Sequence, residues 1–174
     1  MTFCVEGGEA LKESGIDPED LFMLCAKKAL SFTGCPYDCQ ADLTITDNEG
    51  IREVNRQFRG LDEPTDVLSF PMLEFEVPGK FDIPDSERAQ YFDQETGELV
   101  LGSIMISLER AKQQAADFGH SLKREMAFLI VHSMLHLQGF DHISEGDRIV
   151  MEKAQEEILN DLNILRTCNE GGSS

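Results

Sequence analysis

The chain has 174 residues, a length typical of one domain with a proper hydrophobic core. Its 33 acidic and 15 basic residues give a formal net charge of -18, which disfavours non-specific binding to nucleic acid, because such binding depends on basic surface. The composition is 41% hydrophobic, which excludes a disordered chain, and no apolar run reaches the length of a membrane span.

The N-terminus and the cysteines indicate a cytoplasmic protein with no membrane partner. The acidic N-terminal residues lack the basic and then apolar layout of a signal peptide. The five cysteines are odd in number and scattered, and the pair Cys35 and Cys39 has no second pair with which to form a zinc finger, so we expect reduced thiols. Residues 1–167 are expected to form a single domain, and residues 168–174 a disordered tail.

A helix and a strand are predicted near the start of the chain. Asp17 and Pro18 are a strong helix start, because an aspartate caps a helix well and proline suits its first position. We expect this helix to run to about Phe32. The side chains expected to be buried are Leu21, Phe22, Leu24, Cys25 and Leu30. Residues 42–46 then alternate like a half-buried strand.

The next predicted helix carries a row of arginines. Thr46 and Glu49 can form a capping box for a helix that runs to about Phe58 and is closed by Gly60. The arginines are spaced by four and three and lie along roughly one face: Arg52, Arg56 and Arg59. We expect a solvated face for the first two, whereas Arg59, beside the glycine turn, can reach a neighbouring site.

The middle of the chain is predicted to hold two strands joined by a long connection. Residues 66–71 look like a strand stopped by proline, and residues 99–107 are a nearly continuous apolar run, typical of a strand buried on both faces. Residues 74–98 are acidic, contain prolines and glycines, and are expected to be partly mobile. Ser107 can cap a helix that ends at Gly119. The residues expected to be buried there are Leu108, Ala111, Ala115 and Phe118.

Three of the four histidines fall within eleven residues near the C-terminal end. The segment Met126–Leu137 is apolar on almost every side, which indicates a buried helix. His132 and His136 are four residues apart, so their rings project from one face of that helix. Gly139 can end the helix, because glycine readily takes the left-handed conformation. The chain can then fold back and present His142 to the same point.

These three histidines predict a metal centre. A lone histidine in an apolar helix is most often a core residue, but burying several imidazoles without partners is costly, and a shared cation removes that cost. Three imidazoles suit zinc with an open fourth position, although nickel, copper or iron would also fit. Asp141 is a candidate acceptor for an imidazole N–H, or else a turn residue.

The residue after the first histidine is Ser133. Peptidases with an H-E-x-x-H motif carry their general base at that position, and serine cannot take a proton near neutral pH. A metal-bound water can be deprotonated near pH 7 without such a base. The pattern therefore favours hydrolysis but not the standard peptidase mechanism, and Ser133 is at most a supporting residue of the site.

One more helix is predicted to complete the domain. Ser121 can cap the histidine-bearing helix, and Ser144 and Asp147 can form a capping box for a long final helix to about Leu165. The packing residues of this last helix are expected to be Ile149, Ala154, Ile158, Leu159 and Leu162. We find no internal repeat and no domain boundary.

The sequence resembles the YbeY family, the bacterial rRNA-maturation endoribonucleases. Residues 132–142, His-Ser-Met-Leu-His-Leu-Gln-Gly-Phe-Asp-His, are similar to the signature of the family. A second block agrees, Asn-Arg-Gln-Phe-Arg-Gly at 55–60 followed by Pro-Thr-Asp-Val-Leu-Ser-Phe-Pro at 64–71. A weaker third block is Leu-Gly-Ser-Ile at 101–104. The resemblance covers roughly residues 40–165.

The resemblance implies a single α+β domain, with a small mixed sheet of about four strands, about five or six helices and a central metal-binding helix. It implies one zinc ion held by His132, His136 and His142, with Arg59 and His132 as catalytic candidates. The implied activity is cleavage of single-stranded ribosomal RNA in maturation of the small-subunit 3′ end and in ribosome quality control. The implied partners are the small ribosomal subunit or its proteins, and no DNA.

Two positions depart from the family pattern. The family usually has glycine where Ser133 stands, and serine is small enough for a close approach of helices. It usually has aspartate after Leu-Gly, where this chain has Ser103. If that aspartate supports the site in the family, its role here is filled otherwise or lost.

As a mechanistic hypothesis, the zinc activates a water or polarises a phosphate oxygen, while Arg59 pairs with the phosphate. The nucleophile is either the water or the 2′-hydroxyl of the RNA. One competing interpretation is a non-catalytic ribosome-assembly factor with structural zinc, which the acidic charge favours. Its weakness is that structural zinc sites normally have four protein ligands. The other is a metalloprotease-like hydrolase, which needs a proton acceptor that Ser133 does not provide.

Overall fold

The structure is a computed structural model that describes residues 1–166. The predicted disordered tail lies outside the described residues. The four strands are β1 (Thr2–Glu6), β2 (Cys39–Thr46), β3 (Val67–Pro71) and β4 (Leu99–Ser107). The seven α-helices of this range are α1 (Glu9–Glu13), α2 (Pro18–Thr33), α3 (Asn48–Arg59), α4 (Arg88–Tyr91), α5 (Leu108–Phe118), α6 (Leu122–Leu137) and α7 (Glu145–Asp161), and a 3₁₀ turn spans Asp85–Glu87.

The strands form one mixed sheet in the order β1-β2-β4-β3. β1, β2 and β4 are parallel, with Leu43 of β2 opposite Ile104 of β4. β3 is antiparallel to β4 and forms the edge, with Leu68 opposite Met105. This arrangement confirms the predicted α+β class with a mixed sheet of four strands. Five of the helices have eleven or more residues, and the other two, α1 and α4, are single turns.

Helix α6 is central, as predicted. It packs against α2, α5 and α7 and against strands β3 and β4, so nearly every side of it meets protein. The apolar residues that it buries are Met126, Ala127, Leu129, Ile130, Val131, Met134, Leu135 and Leu137. A helix with neighbours on all sides needs apolar residues on all sides, which explains the missing amphipathic pattern.

Gly102 allows the edge strand to approach the end of α6. Its φ is +136°, and a Cβ at this position would collide with the carbonyl oxygen of Phe70 on β3 and press on Leu137 of α6. Only glycine tolerates that combination of conformation and proximity. The close approach holds the C-terminal end of β3 against Leu137 at the C-terminal end of α6, where the histidines lie.

Local capping signals were mostly correct. The side chains of Asp17, Ser107, Ser121 and Ser144 each accept a hydrogen bond from a backbone N–H in the first turn of the following helix. The predicted cap of α3 is wrong by one residue: Asp47, not Thr46, caps the helix by accepting from the Gly50 N–H at 2.8 Å. Thr46 is the last residue of β2, paired with Ser107 of β4, and α3 begins at Asn48, so Asp47 occupies the capping position.

Three predicted core residues are wrong. Leu24, Phe118 and Ile149 are exposed, with 45%, 70% and 56% of their surface accessible. Each lies on a helix face that no other element of residues 1–166 covers, which helical periodicity alone cannot reveal. The last helix ends at Asp161 rather than near Leu165. Strand β1 and helix α1 were not predicted. Among the described residues, no helix is both long and apolar enough to cross a membrane.

Candidate metal centre

The three histidines converge at the C-terminal end of α6, as the sequence predicts. His132 and His136 project from one face of the helix, and His142 follows on the loop that leads to α7. The turn between them depends on Gly139, which has φ +86°. A Cβ at Gly139 would collide with the Phe75 side chain, so both the backbone conformation and the packing require glycine.

One ligand atom from each histidine lies within 4.8 Å of the others. The ring centroids of His132 and His136 are 4.5 Å apart. The ring centroid of His142 lies 5.6 Å from that of His132 and 5.1 Å from that of His136. The Nε2 atoms of His132 and His136 are separated by 3.0 Å. Two nitrogens bound at about 2.0–2.1 Å to one tetrahedral ion lie about 3.3 Å apart, so the measured separation suits a shared cation.

The hydrogen bonds of the two helical histidines make their Nε2 atoms acceptors. The Nδ1–H of His136 donates to the carbonyl oxygen of Phe140 at 2.9 Å, and the Nδ1–H of His132 donates to Oε1 of Gln155 at 3.4 Å. In neutral imidazoles each Nε2 then carries a lone pair rather than a proton. Two lone pairs facing each other at 3.0 Å repel unless a cation lies between them. The donor set therefore fits a metal ion.

The electrostatics of the site favour neutral imidazoles. Burial is the main cause, and the neighbouring His136 a smaller one, of a pKa of His132 that is lowered to about 4. Burial likewise lowers the pKa of His136, opposed in part by its hydrogen bond to the Phe140 carbonyl. Imidazole must be unprotonated to bind a metal, so the surroundings hold both side chains in the ligating form at neutral pH.

A cleft opens on both sides of the histidines. We call one side the Arg59 groove; it is lined by Arg59, Thr65, Asp66, Val67, Leu68, Ser69, Pro71, His132, His136 and His142. We call the other side the Phe128 cavity; it is lined by Asp66, Val67, Phe128, Leu129, His132, His142, Arg148, Met151, Glu152 and Gln155. Asp66, Val67, His132 and His142 belong to both walls, so the two sides form one continuous surface past the histidines.

Arg59 lies at the C-terminal end of α3, as the sequence suggested, and lines the groove with the histidines. Its guanidinium donates to Oδ1 of Asn55 at 3.5 Å and forms no ion pair within residues 1–166. The other two arginines of the row are exposed and paired, Arg52 with Asp62 and Arg56 with Glu53. Arg59 is therefore free to meet an anion in the groove.

Asp141 and Ser133, the two possible supporting residues of the site, differ in their hydrogen bonds. Asp141 accepts a hydrogen bond from the His142 backbone N–H at 2.7 Å, the role of a turn residue, while its carboxylate is 3.6 Å from Nδ1 of His142. Ser133 is fully buried, and its hydroxyl has no hydrogen-bond partner among the described residues, so it makes no polar contact with the histidines. Ser103 is exposed on β4 and lines neither side of the cleft.

Sequence reasoning missed several residues that shape the site. Asp66 lies in both walls, with one carboxylate oxygen accepting from the Val67 N–H and the other from the Gln114 amide. Gln155 comes from α7 and supplies the partner of His132. Phe128 stacks on the His132 ring, with centroids 6.2 Å apart and planes inclined by 21°. Phe128 is one turn before His132 on α6, a spacing that could have indicated this contact.

Comparison with known proteins agrees with this geometry. The family model described as Endoribonuclease YbeY matches residues 11–163. A protein named endoribonuclease YbeY from Agathobacter rectalis is 45% identical over 166 residues, covering 95% of this chain and 100% of the relative. The same name belongs to a Lachnospira eligens protein that is 41% identical over 170 residues, with coverage of 95% and 100%.

One solved structure supports the fold. The solution structure of TM1509 from Thermotoga maritima superposes with a TM-score of 0.55 at 22% sequence identity, covering 99% of this chain and 100% of that chain. At this level of identity the likeness concerns the fold alone. It matches the α+β arrangement described above over the whole chain length.

Proposed function

Because the chain belongs to the YbeY endoribonuclease family, we propose that it is a zinc-dependent endoribonuclease that cleaves single-stranded RNA at the three-histidine centre. The observation that carries this proposal is the pair of opposed Nε2 acceptors of His132 and His136, 3.0 Å apart, beside Arg59, which has no ion pair among the described residues. The three histidines would hold the ion. When bound, zinc supplies Lewis acidity and an activated water near neutral pH.

Arg59 has the chemistry to bind the scissile phosphate. Its planar guanidinium can form two parallel hydrogen bonds to phosphate oxygens, and these strengthen as negative charge develops during cleavage. Asn55 holds this region in place: it is buried, its amide donates to the Glu63 carbonyl at 2.8 Å, and its oxygen accepts from Arg59. The arginine and the loop leading to Asp66 are thereby fixed on one wall of the groove.

The surrounding carboxylates do not take the place of a peptidase base. Ser133 occupies the position after the first histidine, and both oxygens of Asp66 already accept hydrogen bonds. The carboxylates nearest the histidines among residues 1–166, Asp66 and Asp141, each accept a backbone hydrogen bond, whereas Arg59 forms no ion pair there, and this arrangement suits an anionic substrate better than a peptide. We assign the substrate as ribosomal RNA, cleaved during maturation of the small-subunit 3′ end, with the small ribosomal subunit or its proteins as partners.

Metal content and cleavage measured on the same samples test this proposal. The wild type and a His136→Ala variant, both without a histidine tag, are analysed for bound metals and assayed on single-stranded ribosomal RNA. We expect about one zinc per wild-type chain, and loss of both zinc and cleavage in the variant. Full zinc occupancy without any cleavage, even with ribosomal subunits added, would contradict the nuclease proposal and favour a non-catalytic role in ribosome assembly.

The end groups of the products identify the nucleophile. Attack by the 2′-hydroxyl leaves a 2′,3′-cyclic phosphate, and a single 2′-deoxy substitution at the cleaved nucleotide then blocks the reaction. Attack by water needs no 2′-hydroxyl and leaves a linear phosphate. Mass spectrometry of the fragments from a matched pair of oligonucleotides separates the two routes.

A further inference from the structure

The Phe128 cavity lies beside the histidines, but the proposed cleavage reaction assigns no role to it. It encloses about 330 Å³ and shares Asp66, Val67, His132 and His142 with the Arg59 groove. An RNA strand whose phosphate lies at the histidines and Arg59 must continue past them. Through the shared wall, this cavity lies next to the position proposed for the scissile phosphate.

The wall of the cavity offers a flat aromatic surface. Phe128, Leu129 and Met151 supply its apolar part, and Phe128 is only partly buried although it packs on the core. Its ring is held nearly parallel to the His132 ring, at 21°, so its orientation is fixed relative to the metal centre. Bases of single-stranded RNA bind proteins chiefly by stacking on such rings, and they do so with little dependence on base identity.

The polar residues of the cavity suit a nucleotide. Arg148 is half exposed, with 54% of its side chain accessible. Its acidic partner, Glu152, is 3.9 Å away, so the guanidinium can bind a phosphate. Arg148 and Arg59 thus stand on opposite sides of the histidines. The Gln155 side chain is buried, and its Nε2 has no hydrogen-bond partner among the described residues. That Nε2 is inaccessible to a ligand, so Gln155 acts on the site by holding His132 through its Oε1 and does not itself contact the nucleotide.

We propose that the Phe128 cavity binds the nucleobase of the nucleotide adjacent to the scissile phosphate, stacked on Phe128, with Arg148 on the RNA backbone. This inference rests on the proposed endoribonuclease function and deepens it. It assigns a base-binding subsite to the nucleotide on one side of the cleaved bond. Arg59, on the other side of the histidines, binds the scissile phosphate. The enzyme would therefore require a base at one fixed position relative to the cut but tolerate different bases there.

An abasic scan tests the subsite with the wild-type protein. A single abasic ribonucleotide is moved along an otherwise constant single-stranded RNA, and the cleavage rate of each bond is measured. We expect one register to be sensitive: the bond next to the abasic position should be cleaved on the order of ten- to a hundredfold more slowly, the range that base–aromatic stacking supports. Abasic positions farther away should change the rate little.

A matched pair of variants links that register to Phe128. Phe128→Leu keeps an apolar side chain but removes the ring, and Phe128→Tyr restores it. Phe118→Leu is the control, because Phe118 is an exposed aromatic that also packs beside a histidine but lines neither side of the cleft. We expect Phe128→Leu to lower the rate on intact RNA by the same factor as the abasic substitution, with no further loss when the two changes are combined.

A binding measurement provides a readout that is independent of catalysis. The fluorescent base 2-aminopurine, placed at the sensitive position, should be quenched on binding to metal-free wild type and to Phe128→Tyr, but not on binding to Phe128→Leu. If no register is sensitive, or if Phe128→Leu remains fully sensitive to the abasic site, the subsite is wrong while the nuclease function stands. Failure of the zinc-loaded wild type to cleave any RNA would overturn the proposed function, and the subsite with it.

Discussion

Arg59 differs from the other arginines of its helix in a way that predicts its role. Replacing Arg59 by alanine should lower the cleavage rate by about 10²–10³-fold, because a preorganised donor to the developing phosphate charge is lost. Zinc content should not change, since Arg59 contacts Asn55 rather than a histidine. Steady-state cleavage and metal analysis on the same preparation measure both effects.

The matched control for Arg59 is Arg56→Ala. Arg56 lies on the same helix but is paired with Glu53 on the exposed surface. Surface pairs of this kind contribute little to stability, so this variant should retain near wild-type activity. An Arg59→Ala enzyme that cleaves as fast as Arg56→Ala would show that the arginine in the groove does not act on the phosphate.

The buried histidines also make the stability of the metal-free protein depend on pH. The pKa of His132 is lowered to about 4 in the folded state, against about 6.5 in the unfolded chain. Between these values the unfolded chain binds more protons, so stability is complete above about pH 6.5 and falls as the pH drops towards 4. The loss from this group is at most about 3 kcal/mol.

Urea unfolding of the chelator-treated protein between pH 4 and pH 7 measures that dependence. A His132→Asn variant serves as the comparison, because it keeps a polar side chain of moderate size that does not titrate. It should show a shallower rise of the unfolding free energy with pH over this interval. Identical pH profiles for the two proteins would mean that His132 is not held neutral by its surroundings.

At the scale of elements, predictions succeeded where the signal is local. The aspartate and proline at 17 and 18, the serine caps and the terminal glycines each act through hydrogen bonds within a few residues, and the structure contains helices that begin or end there. The histidine spacing placed two rings on one helix face for the same reason. The three histidines of the candidate metal centre can therefore be predicted from the sequence, whereas the residues that surround them cannot.

Predictions failed where a neighbouring element decides the outcome. Phe118 is exposed although its helix is amphipathic, because no element covers that face. Strand β1 has only five residues, with Phe3 and Val5 on its inner face, and it depends on parallel pairing with β2. Gln155 and Asp66 are distant from the histidines in the chain, so only the packing of α7 and the loop before β3 brings them to the site.

The turn after α6 is an element whose geometry the metal centre requires. Gly139→Ala introduces a side chain at φ +86° and a collision with Phe75, so the loop that carries His142 must move. We expect a lower melting temperature and weaker zinc binding, by about tenfold or more, because one of three ligands is displaced. Thermal unfolding with and without zinc, together with a competition titration against a chelator, measures both.

A Gly119→Ala variant separates the effect of backbone strain from the effect of a collision with a neighbouring side chain. Gly119 ends α5 with φ +68°. Apart from its chain neighbours, no atom of residues 1–166 lies within 4 Å of the position where its Cβ would be, so this variant has the backbone strain without the collision. It should cost about 1 kcal/mol of stability and leave zinc affinity unchanged. Equal zinc affinity in the Gly139 and Gly119 variants would show that the turn does not position His142.

The charge of the whole molecule constrains how it meets RNA. A net charge of -18 repels a polyanion at long range, so the attraction must be confined to the cleft, where Arg59 and Arg148 flank the histidines. Two phosphate contacts on a single strand predict a slope of log affinity against log salt of about -1.4. Screening of the overall repulsion by salt should make the observed slope shallower still.

Fluorescence anisotropy with a labelled single-stranded RNA and metal-free protein, at 50–500 mM salt, measures that slope. Arg148→Ala should reduce it by about 0.7, the contribution of one phosphate contact to a single strand. A slope steeper than about -3 would reveal a basic surface larger than the two arginines. The expected shallow slope together with weak affinity would mean that the acidic enzyme depends on another molecule to hold its substrate, a role that the proposed ribosomal partner would fill.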